Sequence, residues 1–441
     1  MPARKLEVVY YLGIVSKIVN QKHPDSVLAR KISRKWDDIN MGLRSICEIF
    51  ITGHGPSSSH TMGPFFACRR IIKKYEDQGI EHIQVTLYGS LALTGAGHLT
   101  DQIIDLALHQ YPHEIELDKV TAKSHPNTME FVIVTKQGTA KETIRSIGGG
   151  TILSEGETLT AEEVYPHQKM EEIYRYCQEN DLSLYDYVAR FETEDIQPYF
   201  EKVLTKMDEA AKRGLEAEGI LPGKLRVHRK AKTMYEQMLL TEEGPNDIAM
   251  NVAAHAFAVA EENASGGVIV TAPTCGSAGV IPGCIQYLRM CGVDDFHIVR
   301  GLMVAGLFGI VCKMNASVSG AEAGCQAEIG VACSMGAGMI AFCFGKPIET
   351  AIQAAEIALE HSLGLTCDPV DGYVQVPCIE RCAVYALKAI DAVKLATIIP
   401  SSETVVSYDD SIATMMKTGL DMDQRYKETS LGGLATTIKP R

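Results

Sequence analysis

No two of the thirteen cysteines are separated by just two residues. That absence removes zinc ribbons, thioredoxin-like redox pairs and ferredoxin-type cluster runs, all of which need Cys-x-x-Cys. No apolar segment with a small-residue cleavage site opens the chain, which begins Met1-Pro2-Ala3-Arg4-Lys5 and soon meets Glu7 and Lys17. With an odd number of thiols and no secretory signature, a disulfide framework is not expected, and a reducing, cytoplasmic compartment is. Positive charge is also short. The 42 Lys and Arg stand against 55 Asp and Glu, a formal charge of −13. So acidic a surface repels phosphate backbones, and nucleic acid is not an expected partner. Long hydrophobic runs are scarce as well: the uncharged stretch between Glu328 and Lys346 is at the short edge of a membrane span and, rich in Gly, Ala and Cys, reads as a buried helix. No membrane partner is expected.

What is present is apolar bulk. At 46% hydrophobic over 441 residues, the chain can bury a large core in two or three domains, which excludes a disordered polymer. Residues 1–45 are basic and carry the only tryptophan, Trp36, and read as a helical extension rather than a targeting segment, because acidic residues interrupt them. Residues 46–160 mix periods. Ile83 to Tyr88 alternates as a strand, Glu130 to Val134 is a second β-rich run ending at a Gln137-Gly138 turn, and Thr100 to Gln110 is periodic as a helix. Residues 161–219 are a charged helical connector closed by Leu221-Pro222-Gly223. Residues 220–441 show no alternating strand, and helices are expected over Pro245 to Glu262 and Pro347 to His361. The fold class is therefore an α+β N-terminal domain followed by a larger all-α domain.

Four segments carry candidate chemistry. Gly53-His54-Gly55-Pro56-Ser57-Ser58-Ser59-His60-Thr61-Met62 offers three hydroxyls and a possible base, His60, and is equally a capped loop ahead of a helix over 62–78. Adjacent residues on one loop rarely form a serine-hydrolase triad, so that class is set aside. Gly95-Ala96-Gly97-His98-Leu99-Thr100-Asp101 puts His98 at a helix start, and Ser146-Ile147-Gly148-Gly149-Gly150 is a bare backbone able to cradle an anion. Cys325, Cys367 and Cys378 each sit beside Gly or Pro, which fix loops where thiolates can converge. Spacing alone leaves metal ligation and core packing both open for them.

Together these segments resemble the iron–sulfur-dependent L-serine dehydratases, or L-serine ammonia-lyases, over about residues 46–435. The Gly-Pro-Ser-Ser-Ser-His-Thr run, the intervals of 42 and 11 residues joining Cys325, Cys367 and Cys378, and Tyr426-Lys427-Glu428-Thr429-Ser430 with Gly432-Gly433-Leu434-Ala435 carry the resemblance. It is to the form with β and α parts on one chain. The resemblance implies a [4Fe-4S] cluster on Cys325, Cys367 and Cys378, oxygen sensitivity, and elimination of water from L-serine to give pyruvate and ammonia. It implies His98 near the proton transfer and His60 in substrate orientation. It further implies substrate contacts from Ser57, Ser58, Ser59, Thr61, Asp101, Ser146, Gly148, Gly149 and Asn315, with Lys313 to Ser317 and Thr271 to Thr274 lining the site. A small-molecule amino acid is the expected partner, and a homodimer the expected assembly. The β part resembles the allosteric substrate-binding domain of some phosphoglycerate dehydrogenases, which makes regulation plausible.

The chain departs from the family at Cys275 and Cys382, where many members carry asparagine. No cysteine follows Cys382, so self-ligation by a C-terminal thiol, and the activation lag it brings, are not expected. A pyridoxal-phosphate enzyme would need a lysine in a Ser-x-Lys-x-Arg-Gly setting, which is missing. L-threonine or L-cysteine as substrate, and an amino-acid-binding regulator without catalysis, are the alternatives, since one methyl or one sulfur is a small difference for a pocket to enforce.

Overall fold

Alternation builds the N-terminal sheet. In β2 (Ile80–Tyr88) the residues Ile83, Val85 and Leu87 point to one face and are completely buried, as are Met129, Phe131 and Ile133 of β4 (Thr128–Thr135). Two helices cover that face: α1 (Gly63–Tyr75), through Ala67, Cys68, Ile71, Ile72 and Tyr75, and α2 (Thr100–Leu108), through Ile103, Ile104, Ala107 and Leu108. Each such aliphatic side chain contributes about 1.5–3 kcal/mol on burial. The strand order is β3-β2-β4-β5-β6, with β3 (His113–Asp118), β5 (Gly138–Gly148) and β6 (Thr151–Ser154) completing it. The β2–β3 pair is parallel and the others antiparallel. The computed structural model describes residues 44–125, 127–157, 163–240 and 245–438. The expected helical extension over 1–45 therefore lies almost wholly outside the described residues.

Helices dominate the rest. The connector supplies α3 (Met170–Asn180), α4 (Leu184–Phe191) and α5 (Ile196–Glu216), followed by α6 (Ala231–Leu239) and α7 (Pro245–Ala264). Then come α8 (Val280–Met290), α9 (Asp295–Asn315), α10 (Val331–Cys343), α11 (Ile348–Glu360), α12 (Cys378–Ile398) and α13 (Tyr408–Asp421). At the centre, α9 and α10 are buried on nearly every side. The segments Asp295–Asn315 and Gln326–Cys343 are long and apolar enough to cross a membrane, and 78% and 83% of their apolar windows are buried inside the fold. Their composition is that of central core helices. Glycine permits the close crossing: a Cβ on Gly338 would lie 2.2 Å from Phe308 Cε2.

Two features differ from the sequence expectation. A short strand, β7 (Val268–Val270), lies in the half read as all-α and pairs antiparallel with β1 (Thr52–His54). Three residues between Gly266-Gly267 and Thr271 are too few to show alternation. The pairing also draws the start of the 46–160 segment out of the sheet unit, and Ile46, Ile49 and Phe50 pack in the helical core, with Phe50 edge-on to Phe200 at 5.2 Å. This crossing is what carries the Ser57–Met62 loop onto the helical unit.

Candidate active site

Residues after β1 turn into a π-helical turn, Ser58–Met62, capped by Ser57, whose Oγ accepts the His60 N–H at 3.2 Å. Two reciprocal bonds lock this turn to the loop before α2. Thr61 Oγ1 donates to the His98 carbonyl at 2.9 Å, and Thr100 Oγ1 donates to the His60 carbonyl at 2.7 Å. The two imidazoles consequently face each other with centroids 4.6 Å apart. His60 Nδ1 meets Ser59 Oγ at 2.8 Å and its Nε2 meets Ser90 Oγ at 2.9 Å. His98 Nδ1 lies 3.1 Å from the Thr94 carbonyl, which can only accept, so Nδ1 carries the proton and Nε2 presents its lone pair. Burial, then the neighbouring His98, pushes His60 down to about 3, and burial lowers His98 as well. Both rings are neutral at neutral pH, the state a base requires.

The cysteines converge from three separate elements. Cys325 precedes a second π-helical turn, Gln326–Gly330, which brings Glu328 alongside it. Cys367 is held by a one-residue ladder to the C-terminal segment, its N–H donating to Tyr426 O at 2.8 Å and its carbonyl accepting from Glu428 N at 2.7 Å. Cys378 opens α12. The ligand atoms of Cys325, Glu328 and Cys367 all lie within 4.8 Å of one another, and Cys378 falls outside that group. A hydrogen bond from Cys367 lowers the Cys325 thiol, while the same bond and burial hold Cys367 high. Cys378 is raised by burial and then by Cys325. Burial followed by the Glu428 charge lifts Glu328 to about 8, and burial followed by Cys325 lifts Glu428 to about 7. The cation facing this acidic set is Arg381, whose Nη1 donates to Thr366 O at 2.9 Å and whose Nη2 lies 3.5 Å from Asp368. Burial works against its charge, and Cys325 and Cys378 sustain it.

The two halves touch. Ser58 Oγ donates to Cys275 Sγ at 3.2 Å, and the neighbouring Thr274 Oγ1 donates to Glu328 Oε1 at 2.8 Å. On the other side, a Cβ at Gly97 would stand 3.6 Å from Gly372 O, in the turn between Cys367 and Cys378. A chain of contacts therefore runs from the histidines through Ser58, Cys275 and Thr274 to the thiols.

Among the residues singled out from the sequence, His60, His98, Ser57, Ser58, Ser59 and Thr61 come together, as do Cys325 and Cys367 with Cys378 nearby. Ser146 is fully buried and donates to Ser59 O at 2.8 Å, which holds the serine loop from behind. Gly148 and Gly149 form a left-handed turn whose nearest charged group is Lys313, itself paired with Glu48 at 2.8 Å. Two residues stand apart. Asp101 is exposed in the first turn of α2, where it suits the helix dipole. Asn315 is exposed at the end of α9, where its amide donates to Val311 O and Gln168 O. Sequence reasoning missed Glu328, Glu428, Arg381 and Ser90. The first and third had a signal: each follows a cysteine, Cys325 or Cys378, by three residues, one helical turn. A cavity of about 440 Å³ among Asp208, Lys212, Tyr235, His255 and Arg289 contains none of these groups.

Comparison with known proteins identifies the family. Residues 106–435 match the family described as serine dehydratase alpha chain, and residues 45–123 match serine dehydratase beta chain. The L-serine dehydratase of Haemophilus influenzae is 38% identical, the alignment covering 89% of this chain and 99% of that protein. Those of Streptomyces coelicolor and Helicobacter pylori (strain J99) are 37% and 38% identical, covering 89% and 90% of this chain and 99% of each relative. The chain thus belongs to the serine dehydratase family, with the alpha and beta parts fused in one polypeptide.

Proposed function

We propose that this chain is an L-serine dehydratase, forming pyruvate and ammonia from L-serine, and that Cys325, Cys367 and Cys378 hold a [4Fe-4S] cluster. The observation that carries the reading is the meeting of two facing, neutral histidines, His98 buried and His60 half-buried, with a converging thiol set. The donor set fits such a group: Cys325 and Cys367 are buried, soft sulfur donors, and the Arg381 cation beside Cys325 and Cys378 suits anionic thiolate ligation. When bound, the cluster supplies Lewis acidity toward the substrate hydroxyl at an iron that the three cysteines leave open.

The chain's own residues do the rest. The Thr94 carbonyl fixes the His98 tautomer, so Nε2 can take the α-proton of serine. His60, held by Ser59 and Ser90, orients the substrate from the facing ring. The Ser57–Ser59 loop offers hydroxyls to the substrate carboxylate. As the Cα–H electron pair moves in, the Cβ–O bond breaks and the departing hydroxide is protonated to water. The product, aminoacrylate, tautomerises to the imine and is hydrolysed to pyruvate and ammonia.

The test is purification without oxygen, with iron and acid-labile sulfide measured per chain and pyruvate formation from L-serine assayed before and after exposure to air. About four of each, with activity lost in air and restored by iron and reductant, is expected. Full, air-stable activity in iron-free protein would overturn the cluster reading.

A further inference from the structure

Glu328 joins Cys325 and Cys367 in one close group of ligand atoms that does not include Cys378. Among the described residues, this is the one group of three His, Cys, Asp or Glu side chains whose ligand atoms all approach within 4.8 Å. Its spacing is that of the ligands of a single ion. Tetrahedral bonds of about 2.3 Å to sulfur and about 2.1 Å to oxygen place sulfur and oxygen about 3.6 Å apart, and Cys367 Sγ lies 3.8 Å from Glu328 Oε2.

The carboxylate is also aimed. Thr274 Oγ1 holds Oε1 at 2.8 Å, which leaves Oε2 toward the thiols, the second-sphere arrangement that orients metal ligands. Room for it comes from Gly320, where a Cβ would lie 2.4 Å from Oε2 and 3.2 Å from Cys367 Sγ. The π-helical turn Gln326–Gly330 brings the glutamate to the same side as Cys325. Glu428 adds a further carboxyl close by, and Arg381 is the balancing cation.

We propose that Cys325, Cys367 and Glu328 form a preorganised two-sulfur, one-oxygen site for a single divalent transition ion such as Zn2+, occupied when the chain carries no cluster. Two thiolates and one carboxylate with an open fourth position suit a borderline-soft, tetrahedral ion. The ion uses two of the three cysteines assigned to the cluster, so the two occupants exclude each other. The inference stands whether or not the cluster reading does.

Co2+ is the probe, titrated into the full-length, iron-free chain under reducing conditions without oxygen. One equivalent per chain is expected, with a sulfur-to-cobalt charge-transfer band and visible bands of tetrahedral strength, both erased by Zn2+. Glu328→Gln is expected to weaken binding at least about tenfold, since loss even of an outer partner costs about 10–100-fold. Cys367→Ser should remove the charge-transfer intensity of one thiolate. Cys378→Ser is the discriminating variant: it should bind Co2+ as the unmodified chain does, whereas the proposed cluster needs Cys378. Absence of a stoichiometric cobalt complex, indifference to Glu328→Gln, or loss of binding in Cys378→Ser overturns the proposal. Failure of every sample to take up iron and sulfide counts against the cluster and leaves the cobalt titration to decide this site.

Discussion

Lowering the pH from 7 to 5 loads protons onto the unfolded chain that the folded site refuses, and His60 carries a calculable share of that difference. Burial, reinforced by His98, lowers its folded value from 6.5 to about 3. Below pH 6.5 the unfolded histidine is protonated and the folded one is not, so stability falls as the pH falls through the window from 6.5 to 3. Each pH unit is worth about 1.36 kcal/mol, so the stretch from 6.5 to 5 removes about 2 kcal/mol. The perturbation is His60→Asn, which keeps a polar group beside Ser59 and does not titrate. Urea unfolding at pH 7, 6 and 5, at fixed ionic strength, is the assay. The unmodified chain should lose about 2 kcal/mol more than the variant across that range. His98 titrates in both chains and largely cancels. Parallel stability curves would refute the reasoning, because they would mean that His60 takes up its proton in the folded state as freely as in the unfolded one. The same depression predicts that His60 adds no inflection near pH 6.5 to the kcat/KM profile.

Three other perturbations test the packing and the site. Gly338→Ala places a methyl 2.2 Å from Phe308 Cε2 between α9 and α10; overpacking of about 1–3 kcal/mol outweighs a helix-propensity gain of about 1 kcal/mol, so Tm should fall, and an unchanged or higher Tm would contradict the crossing. Thr274→Val deletes the hydroxyl bonded to Glu328 and should cost about 1.5–3 kcal/mol in denaturant unfolding, with Thr274→Ser close to the unmodified chain. Tyr408→Phe leaves the buried Ser334 hydroxyl without the phenol it donates to at 2.9 Å, so a loss of about 1–3 kcal/mol is expected, and a neutral result would show that Ser334 finds another acceptor.

The sequence was most readable where side-chain period reports burial directly. The alternation of Ile83, Val85 and Leu87 and the helical spacing over Thr100 to Gln110 appear in the structure as β2 and α2. The polar strands β3 and β5 escaped notice because they bury little on either face, and β7 because three residues make no pattern. At the site, glycine, proline and serine marked the loops, and the cysteine intervals marked the thiols. Glu328 and Arg381 were harder, since a charged residue one turn from a cysteine is ordinarily a solvated face. Only the tertiary fold turns each inward, where burial and then the Glu428 charge raise the Glu328 carboxyl. Asp101 and Asn315 lie in equally suggestive motifs, and the structure places each in an end turn of a helix, exposed to solvent.

Backbone conformation is the level at which the sequence is silent. Among the described residues, six that are not glycine have left-handed φ, and four of them border the site: Leu99, Asp371, Glu428 and Ser430. Each such residue costs about 1–3 kcal/mol that a glycine would not. The side chains and backbone at these places explain why glycine is not there. Leu99 follows His98 and is itself buried, and Ser430 Oγ donates to Pro369 O at 2.7 Å. Glu428 gives its N–H to Cys367 O while its carboxyl faces Glu328, and Asp371 sits in the turn that meets Gly97. The reversals at 99, 371 and 428–430 accompany the approach of three loops from distant parts of the chain, Gly97 to the 371–372 turn and Cys367 to the 426–428 segment. The surrounding helical core, with α9 and α10 buried almost throughout, is the reservoir of stability against which that local strain is maintained.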